Sequence, residues 1–304
     1  GRLMNGHFAT RSLNEDGSWK ALTTQYNSAA DVSPTAAQMP KLLGLAFASK
    51  LYRNNKGLKD LTDFSVHGNE VAWGTIGNAS TSEGMFFESL NAAGVLQVPM
   101  VVAVWDDGFG ISVPKEFHTT KGSISEALLG LQRTDTEKGF EILRVKGWDY
   151  EALVQAFAIA GRLAREEHVP VLLHVEEMTQ PQGHSTSGSH ERYKSKDRLQ
   201  WEKDWDCILK FREYIISSGF ATADHLDELE AEAKGEVKRQ KEAAWNEFNG
   251  EIKTELDQAL ALIRSIAEKS SRKIALLQLA DAINNIGGES IVLWDMQYAD
   301  PIPE

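Results

Sequence analysis

At 304 residues, with 42% hydrophobic and 25% charged side chains, the chain has globular proportions and enough length for one large core or two smaller ones. A formal net charge of −12 excludes general nucleic-acid affinity, which needs a cationic surface, but leaves room for an anion held locally by backbone N–H groups and a metal ion. The single cysteine, Cys207, excludes an internal disulfide and a cysteine metal cage; it fits a reducing compartment, cytoplasm or, in a eukaryote, the mitochondrial matrix. No apolar run reaches the roughly 18 residues of a membrane span, and no signal-peptide pattern opens the chain, so no membrane association is expected.

Residues 1–32, rich in Gly, Asn and Ser, read as loops. From Ser33-Pro34-Thr35 an apolar pattern at helical spacing begins (Ala37, Leu42, Leu45, Ala46, Ala48, Leu51), with Ser33 suited to the N-cap and Pro34 to the first helical position. Asn54, Asn55 and Gly57 end it. A short strand is expected at 71–75, a helix from Glu83 to Leu96, and a strand buried on both faces at Met100–Trp105 (MVVAVW), where Trp73 and Trp105 read as core residues. The alternation continues with a strand at 140–145, a helix at 150–167 and a strand at 169–175 (VPVLLHV). This rhythm predicts an α/β fold with a mainly parallel sheet flanked by helices. Residues 179–198 read as a long polar loop, 201–217 and 222–269 as helical, and Ile291–Trp294 as a β-like run. The organisation expected is an α/β domain over 1–220 and a helical extension over 221–304.

Chemistry concentrates between Gly77 and Pro114. The first strand ends in Gly77-Asn78-Ala79-Ser80, a run of short side chains leading into a helix N-terminus, which suits an anion. The second strand ends in Asp106-Asp107-Gly108. In a parallel sheet both ends lie on the carboxyl edge, where ligands of open α/β folds bind. Asn78 and Asp107, 29 positions apart, are thereby brought together as hard oxygen donors suited to magnesium beside phosphates. His67, His118, His168 and His174 show no ligand spacing and receive no role.

This stretch resembles the thiamine-diphosphate motif, a Gly-Asp-Gly or Gly-Glu-Gly followed at this same separation by Asn-Asn-Gly. It is most similar to the version in alpha subunits of the decarboxylating component of 2-oxo acid dehydrogenases, of the branched-chain and pyruvate types. There the motif runs on through Ser-Glu-Gly, a helical Asn, and Asn-Gly-Tyr-Ala-Ile-Ser. Ser82-Glu83-Gly84, Asn91 and Asp107-Gly108-Phe109-Gly110-Ile111-Ser112 stand in those places. Further similarities are Gly1-Arg2-Leu3-Met4 with His7, Ser33-Pro34-Thr35 through Gln38-Met39-Pro40, the Gly183-His184-Ser185 loop, and the Arg192-Tyr193-Lys194 stretch with Trp201. The resemblance covers roughly residues 1–220. Four departures stand out. The family's acidic metal ligand falls on Asn78 and its asparagine ligand on Asp107, so one carboxylate and one amide remain with their positions exchanged. Ala79 replaces the second Gly, Phe109 replaces the Tyr, and Trp105 stands where some relatives have a phosphate-contacting Arg.

The resemblance implies thiamine diphosphate and magnesium as cofactors, with magnesium on Asn78, Asp107 and the Phe109 carbonyl. Gly77, Asn78, Ala79, Ser80, Asp107, Phe109 and Ile111 would line the cofactor, Ser33 and Thr35 would lie against its central rings, and His184 would act both on the cofactor side and as proton donor. It implies oxidative decarboxylation of a 2-oxo acid, branched-chain or pyruvate, with acyl transfer to a lipoyl-bearing transacylase core. It also implies a beta subunit or half that completes the site in an alpha2beta2-type oligomer, this chain resembling a fragment or the alpha part of a fusion. A transketolase-like thiamine enzyme and a non-catalytic domain of the same fold are the alternatives; a nicotinamide-binding domain lacks its Gly-x-Gly-x-x-Gly after a strand.

Overall fold

A computed structural model describes residues 9–29, 34–184 and 190–285, so Ser33, His7, the segment 185–189 and the β-like run at 291–294 lie outside the described residues. Contacts divide the chain into two compact units, one ending at Ala221 and the other starting at Thr222.

The first unit is built on a four-stranded parallel sheet in the order β1-β2-β6-β5. In chain order it contains α1 (Gln38–Asn54), β1 (Ala72–Gly77), α2 (Gly84–Leu96), β2 (Met100–Trp105), and a small antiparallel pair, β3 (Phe109–Gly110) and β4 (Val113–Pro114). Then follow α3 (Ile124–Ala127), β5 (Glu141–Lys146), α4 (Tyr150–Arg162, continued by a π-turn to Glu167), β6 (Val171–Glu176), α5 (Lys196–Asp204) and α6 (Cys207–Ser217). β2 and β6 are the inner strands, and their runs of β-branched and leucine residues are buried on both faces, as full cover by helices requires. The period of two sorts them. Met100, Val102, Val104 and Leu172 face a core shared with Met39, Leu42 and Ala46 of α1 and Phe86, Leu90 and Ala93 of α2. Val101, Ala103, Val171, Leu173 and Val175 face the opposite side, where α4 supplies Ala156, Phe157 and Ala160. Burying one such side chain stabilises by roughly 1.5–3 kcal/mol, so these two strands are the main source of cohesion. Helix α1 approaches β1 closely at Gly74, where a Cβ would lie 2.5 Å from Leu42 Cδ2.

Three details differ from the sequence reading. Helix α1 begins at Gln38, not at Pro34, because Ala36 adopts a left-handed φ of 63° and holds residues 34–37 in turns. Trp73 is 43% exposed, since β1 is an edge strand, and Trp105 is only partly buried; both stack on Phe157, at 5.9 and 6.4 Å. The polar stretch read as a loop to 198 closes sooner: a 3-10 turn spans His190–Arg192, and the Ser195 hydroxyl caps α5 by accepting from the Arg198 N–H at 3.1 Å.

The second unit is helical. α7 (Ala223–Lys269) is a single 47-residue helix, capped by Thr222, and α8 (Lys273–Asn285) packs against it with Ala280 buried, as are Leu260 and Ala267 of α7. Among the described residues no helix is long and apolar enough to cross a membrane.

Candidate functional site

Strands β1 and β2 end level, Gly77 opposite Trp105, and Trp105 is in turn opposite Val175 of β6. The ladder runs one residue further, the Asn78 N–H donating to the Trp105 carbonyl at 3.1 Å. The chain then turns at once, because the Asn78 carbonyl accepts from both the Thr81 N–H (3.2 Å) and its hydroxyl (2.6 Å), starting the 3-10 turn Ala79–Ser82 that leads into α2. Short side chains make so tight a turn possible. Asn78 is 6% exposed, and its Nδ2 is buried with no hydrogen-bond partner. An orphaned buried amide costs about 1–3 kcal/mol, a penalty that a ligand in this cradle would remove.

The two aspartates that follow β2 do different work. Asp106 is buried and spends its carboxylate inward: Oδ1 accepts from the Gly108 N–H (2.8 Å), and Oδ2 from Lys115 Nζ and His174 Nε2 (3.0 Å each). Burial pushes this carboxyl upward, but the His174, Lys115 and Gly108 donors outweigh it and hold it at about 2. His174, fully buried on β6, is fixed in turn by the Ser125 hydroxyl, 2.9 Å from Nδ1. Asp107, partly buried, has a single such bond among the described residues, from the Phe109 N–H (3.0 Å). Burial raises its pKa against the pull of the Phe109 N–H, Lys194 and Arg198, with the Asp106 charge adding to the rise. A carboxyl held in this way gains most from a bound cation.

The loop 106–109 is clamped from outside by α5. Arg198 donates to the Asp107 carbonyl at 2.6 Å and to Glu202 at 2.8 Å, and its guanidinium lies 5.4 Å from the Phe109 ring centroid and 4.6 Å from that of Trp201. Lys194, 5.3 Å over the same Phe109 ring, pairs with Glu202 at 2.8 Å, both side chains being 1% exposed. The carboxylate stands at 107, within reach of Lys194 and Arg198, while the more deeply buried position 78 carries the neutral amide.

Beyond Gly108 (φ 85°) the β3–β4 hairpin turns through Ile111, which holds a left-handed φ of 59° and is 61% exposed. A β-branched residue in that conformation is strained, a condition that persists where the surroundings impose it and that is common at ligand sites. Gly110 packs against the turn after β1: a Cβ there would lie 2.6 Å from Ala79 Cβ and 3.6 Å from His118 Cδ2 and Nε2. The resembled motif has Gly at position 79 and Ala at position 110, and here the two are interchanged; only one methyl group fits between these backbones.

The structure thus assembles Gly77, Asn78, Ala79, Ser80, Asp107, Phe109 and Ile111 along one edge of the sheet. Thr35 is exposed in the turn ahead of α1, whose Gln38 donates to the Thr75 carbonyl at 3.4 Å and so meets the carboxyl half of β1. Ser33 falls outside the described residues. His184 is exposed, and its backbone bonds to the Tyr193 phenol, whose ring lies 5.7 Å from that of Phe109. Sequence reasoning missed His174, His118, Lys115, Lys194, Arg198 and Glu202 as parts of this site. The first two carry no spacing signal, because their partners lie on other elements; of the last three, Lys194 is part of the Arg192-Tyr193-Lys194 similarity and Arg198 and Glu202 flank Trp201, a similarity that marked the segment without its roles.

The parallel sheet, the cradle at its carboxyl edge and the helical C-terminal unit define a thiamine-diphosphate-binding α/β fold. The sequence matches the family described as "Dehydrogenase E1 component" over residues 14–253. Similar proteins include the 2-oxoisovalerate dehydrogenase subunit alpha 1, mitochondrial, of Arabidopsis thaliana, 28% identical over 70% of this chain and 40% of that protein. Others are the mitochondrial 2-oxoisovalerate dehydrogenase subunit alpha of Caenorhabditis elegans (29%; 79% of this chain, 47% of that protein) and the pyruvate dehydrogenase E1 component subunit alpha of Rickettsia bellii (strain RML369-C) (25%; 69% and 57%). The chain belongs to the dehydrogenase E1 component family, on its alpha-subunit side. It spans about half the length of these relatives.

Proposed function

We propose that this chain carries the diphosphate side of a thiamine-diphosphate and magnesium site, and that with a beta subunit or beta half it decarboxylates a 2-oxo acid and passes the acyl group to a lipoyl arm. The observation that carries the reading is the buried, unpartnered Nδ2 of Asn78, a donor suited to a diphosphate oxygen, at the carboxyl edge of the sheet where the Asp107 loop also begins. Asn78, Asp107 and the Phe109 carbonyl would hold magnesium, the remaining oxygens coming from the diphosphate and water. Among the described residues no cluster of three or more His, Cys, Asp or Glu side chains forms a metal site. The proposed set is compatible with that, since it contains one such residue and otherwise uses amide and backbone oxygens.

When bound, thiamine diphosphate supplies the nucleophilic carbon and the electron sink that decarboxylation needs. The backbone N–H groups of Ala79 and Ser80 and the N-terminus of α2 would bind the diphosphate, Ile111 would support the cofactor rings from its strained turn, and Ser33 and Thr35 would flank them. Asp106, its carboxyl held low, accepts from the Gly108 N–H and would so help to hold the loop that carries the Phe109 carbonyl. His184, at the exposed mouth, would move the proton at the substrate or lipoyl group. The names of the similar proteins favour branched-chain 2-oxo acids, with pyruvate second. The helical unit from Thr222 would serve as an extension toward the beta half in an alpha2beta2-type assembly around a lipoyl-bearing transacylase core.

Calorimetric titration of thiamine diphosphate into the complete protein, joined with its beta half, tests this. Binding that needs magnesium and that Asp107→Ala abolishes is expected. No binding with or without magnesium would refute the catalytic reading and leave a non-catalytic member of the fold.

A further inference from the structure

Besides Asn78 Nδ2, two buried side-chain atoms among the described residues have no hydrogen-bond partner: Nδ1 of His190, and Nε2 of His118, which lies against the cradle. The ring is held in place. Its Nδ1 lies 2.8 Å from the Thr119 hydroxyl, its backbone N–H bonds to the Lys115 carbonyl at 3.2 Å, and its carbonyl accepts the Ser82 hydroxyl at 2.6 Å, tying it to the turn that opens α2. Nε2 stands 3.6 Å from the point where a Gly110 Cβ would be, and that same point is 2.6 Å from Ala79 Cβ. His118, Ala79 and Gly110 therefore meet at the turn that presents backbone N–H groups to an anion. The Thr119 hydroxyl can donate to Nδ1, which leaves the proton on Nε2 as a free donor. Meanwhile Trp105, at the place where the resembled motif has a phosphate-contacting cation in some members, packs away on Phe157 of α4 at 6.4 Å.

We propose that His118 is a diphosphate-binding residue of this chain, donating from Nε2 to a phosphate oxygen and standing in for the contact that Trp105 does not make. The inference rests on the cofactor reading above. The contact needs no change in charge on the ring: a neutral imidazole with its proton on Nε2 suffices, and the Ser82–His118 bond keeps the donor and the helix N-terminus moving as one piece. In the absence of an anion, Nε2 is a buried donor with nothing to bind, which is an arrangement proteins avoid unless a ligand completes it.

The experiment is calorimetric titration of the complete protein with three probes, each with magnesium present: thiamine diphosphate, inorganic diphosphate and thiamine. His118→Phe keeps the volume and removes the donor; His118→Gln keeps an amide N–H near the position of Nε2. Loss of a hydrogen bond to a charged group predicts that His118→Phe binds thiamine diphosphate and inorganic diphosphate roughly 10- to 100-fold more weakly, with thiamine unchanged. His118→Gln is expected to stay within a few-fold of the wild type. Equal affinity of His118→Phe and wild type for both diphosphates would overturn the assignment, and so would an equal loss for all three probes, which would mark a structural role. Absence of binding in the wild type would sink the cofactor reading itself, and this inference with it. A second readout uses the unaltered ring: in protein carrying 15N-histidine, the signal lost in His118→Gln is expected to shift when inorganic diphosphate and magnesium are added, and a signal that stays fixed while diphosphate binds refutes the contact.

Discussion

Replacing Gly110 with alanine puts a methyl carbon 2.6 Å from Ala79 Cβ, about 1 Å inside the distance at which two carbons attract. The backbones on either side cannot separate freely. Residue 79 follows the Asn78 bond to Trp105, and residue 110 is paired with Val113 in the β3–β4 hairpin. Overpacking of this kind costs about 1–3 kcal/mol. Removing the opposing methyl should cancel most of it. The double variant Ala79→Gly/Gly110→Ala restores the arrangement of the resembled motif, so it is expected to be more stable than Gly110→Ala alone, although Ala79→Gly by itself loses about 0.5–1 kcal/mol through backbone entropy. Urea unfolding of the four proteins gives the coupling, expected at about 1–2 kcal/mol in favour of the double variant. Additivity to within about 0.5 kcal/mol would refute the claim that a single methyl group is shared between these positions. The same four proteins, titrated with thiamine diphosphate, report whether the strain reaches the cradle: the single Gly110→Ala variant is expected to bind more weakly, and the double to recover.

Two further expectations concern the charges around the 106–109 loop. Lys194→Met leaves Glu202 buried with Arg198 as its remaining ion-pair partner among the described residues and should cost up to about 3 kcal/mol, the low end for a broken buried pair, whereas Lys194→Met/Glu202→Leu should be far milder; unfolding midpoints of the pair decide it, and a double variant as unstable as the single would contradict the buried-pair argument. Asp106 has its carboxyl lowered from the ordinary 3.8 to about 2, so its ionised form contributes about 2 kcal/mol of stability at neutral pH. The sign follows from proton uptake: the unfolded chain protonates first, so this contribution is complete above pH 3.8 and disappears as pH falls toward and through 2. Taking away the His174 donor, as in His174→Phe, should raise the carboxyl and move the acid-unfolding midpoint to higher pH, and an unchanged midpoint would show that His174 does not hold Asp106 down.

The similarity to 2-oxo acid dehydrogenase alpha subunits and the geometry of the edge meet at Asn78 and Asp107, whose exchanged identities gain a physical account from the structure. A carboxylate at 78 would sit at a position only 6% exposed, whereas at 107 Lys194 and Arg198 offset part of the rise that burial imposes. The magnesium-dependent titration with Asp107→Ala tests that account together with the function proposed.

Much of this was legible in the chain itself. The runs at 100–105 and 171–175 are too apolar for any position but the middle of a covered sheet, and their order with the intervening helices forces a parallel arrangement. That arrangement alone brings Asn78 and Asp107 to one edge, because strand ends in a parallel sheet share a side whatever the details of packing. Strand order was not legible: β6 inserts between β2 and β5, which follows from how the helices cover the two faces and not from any local pattern. Nor were the partners that tune the site. His174 reaches Asp106 across 68 positions and Arg198 reaches Asp107 across 91, and the start of α1 depends on a single left-handed residue, Ala36. Local periodicity records which face of an element is buried; which polar groups then meet in the interior is set by the packing of elements far apart in the chain, and only the tertiary structure decides it.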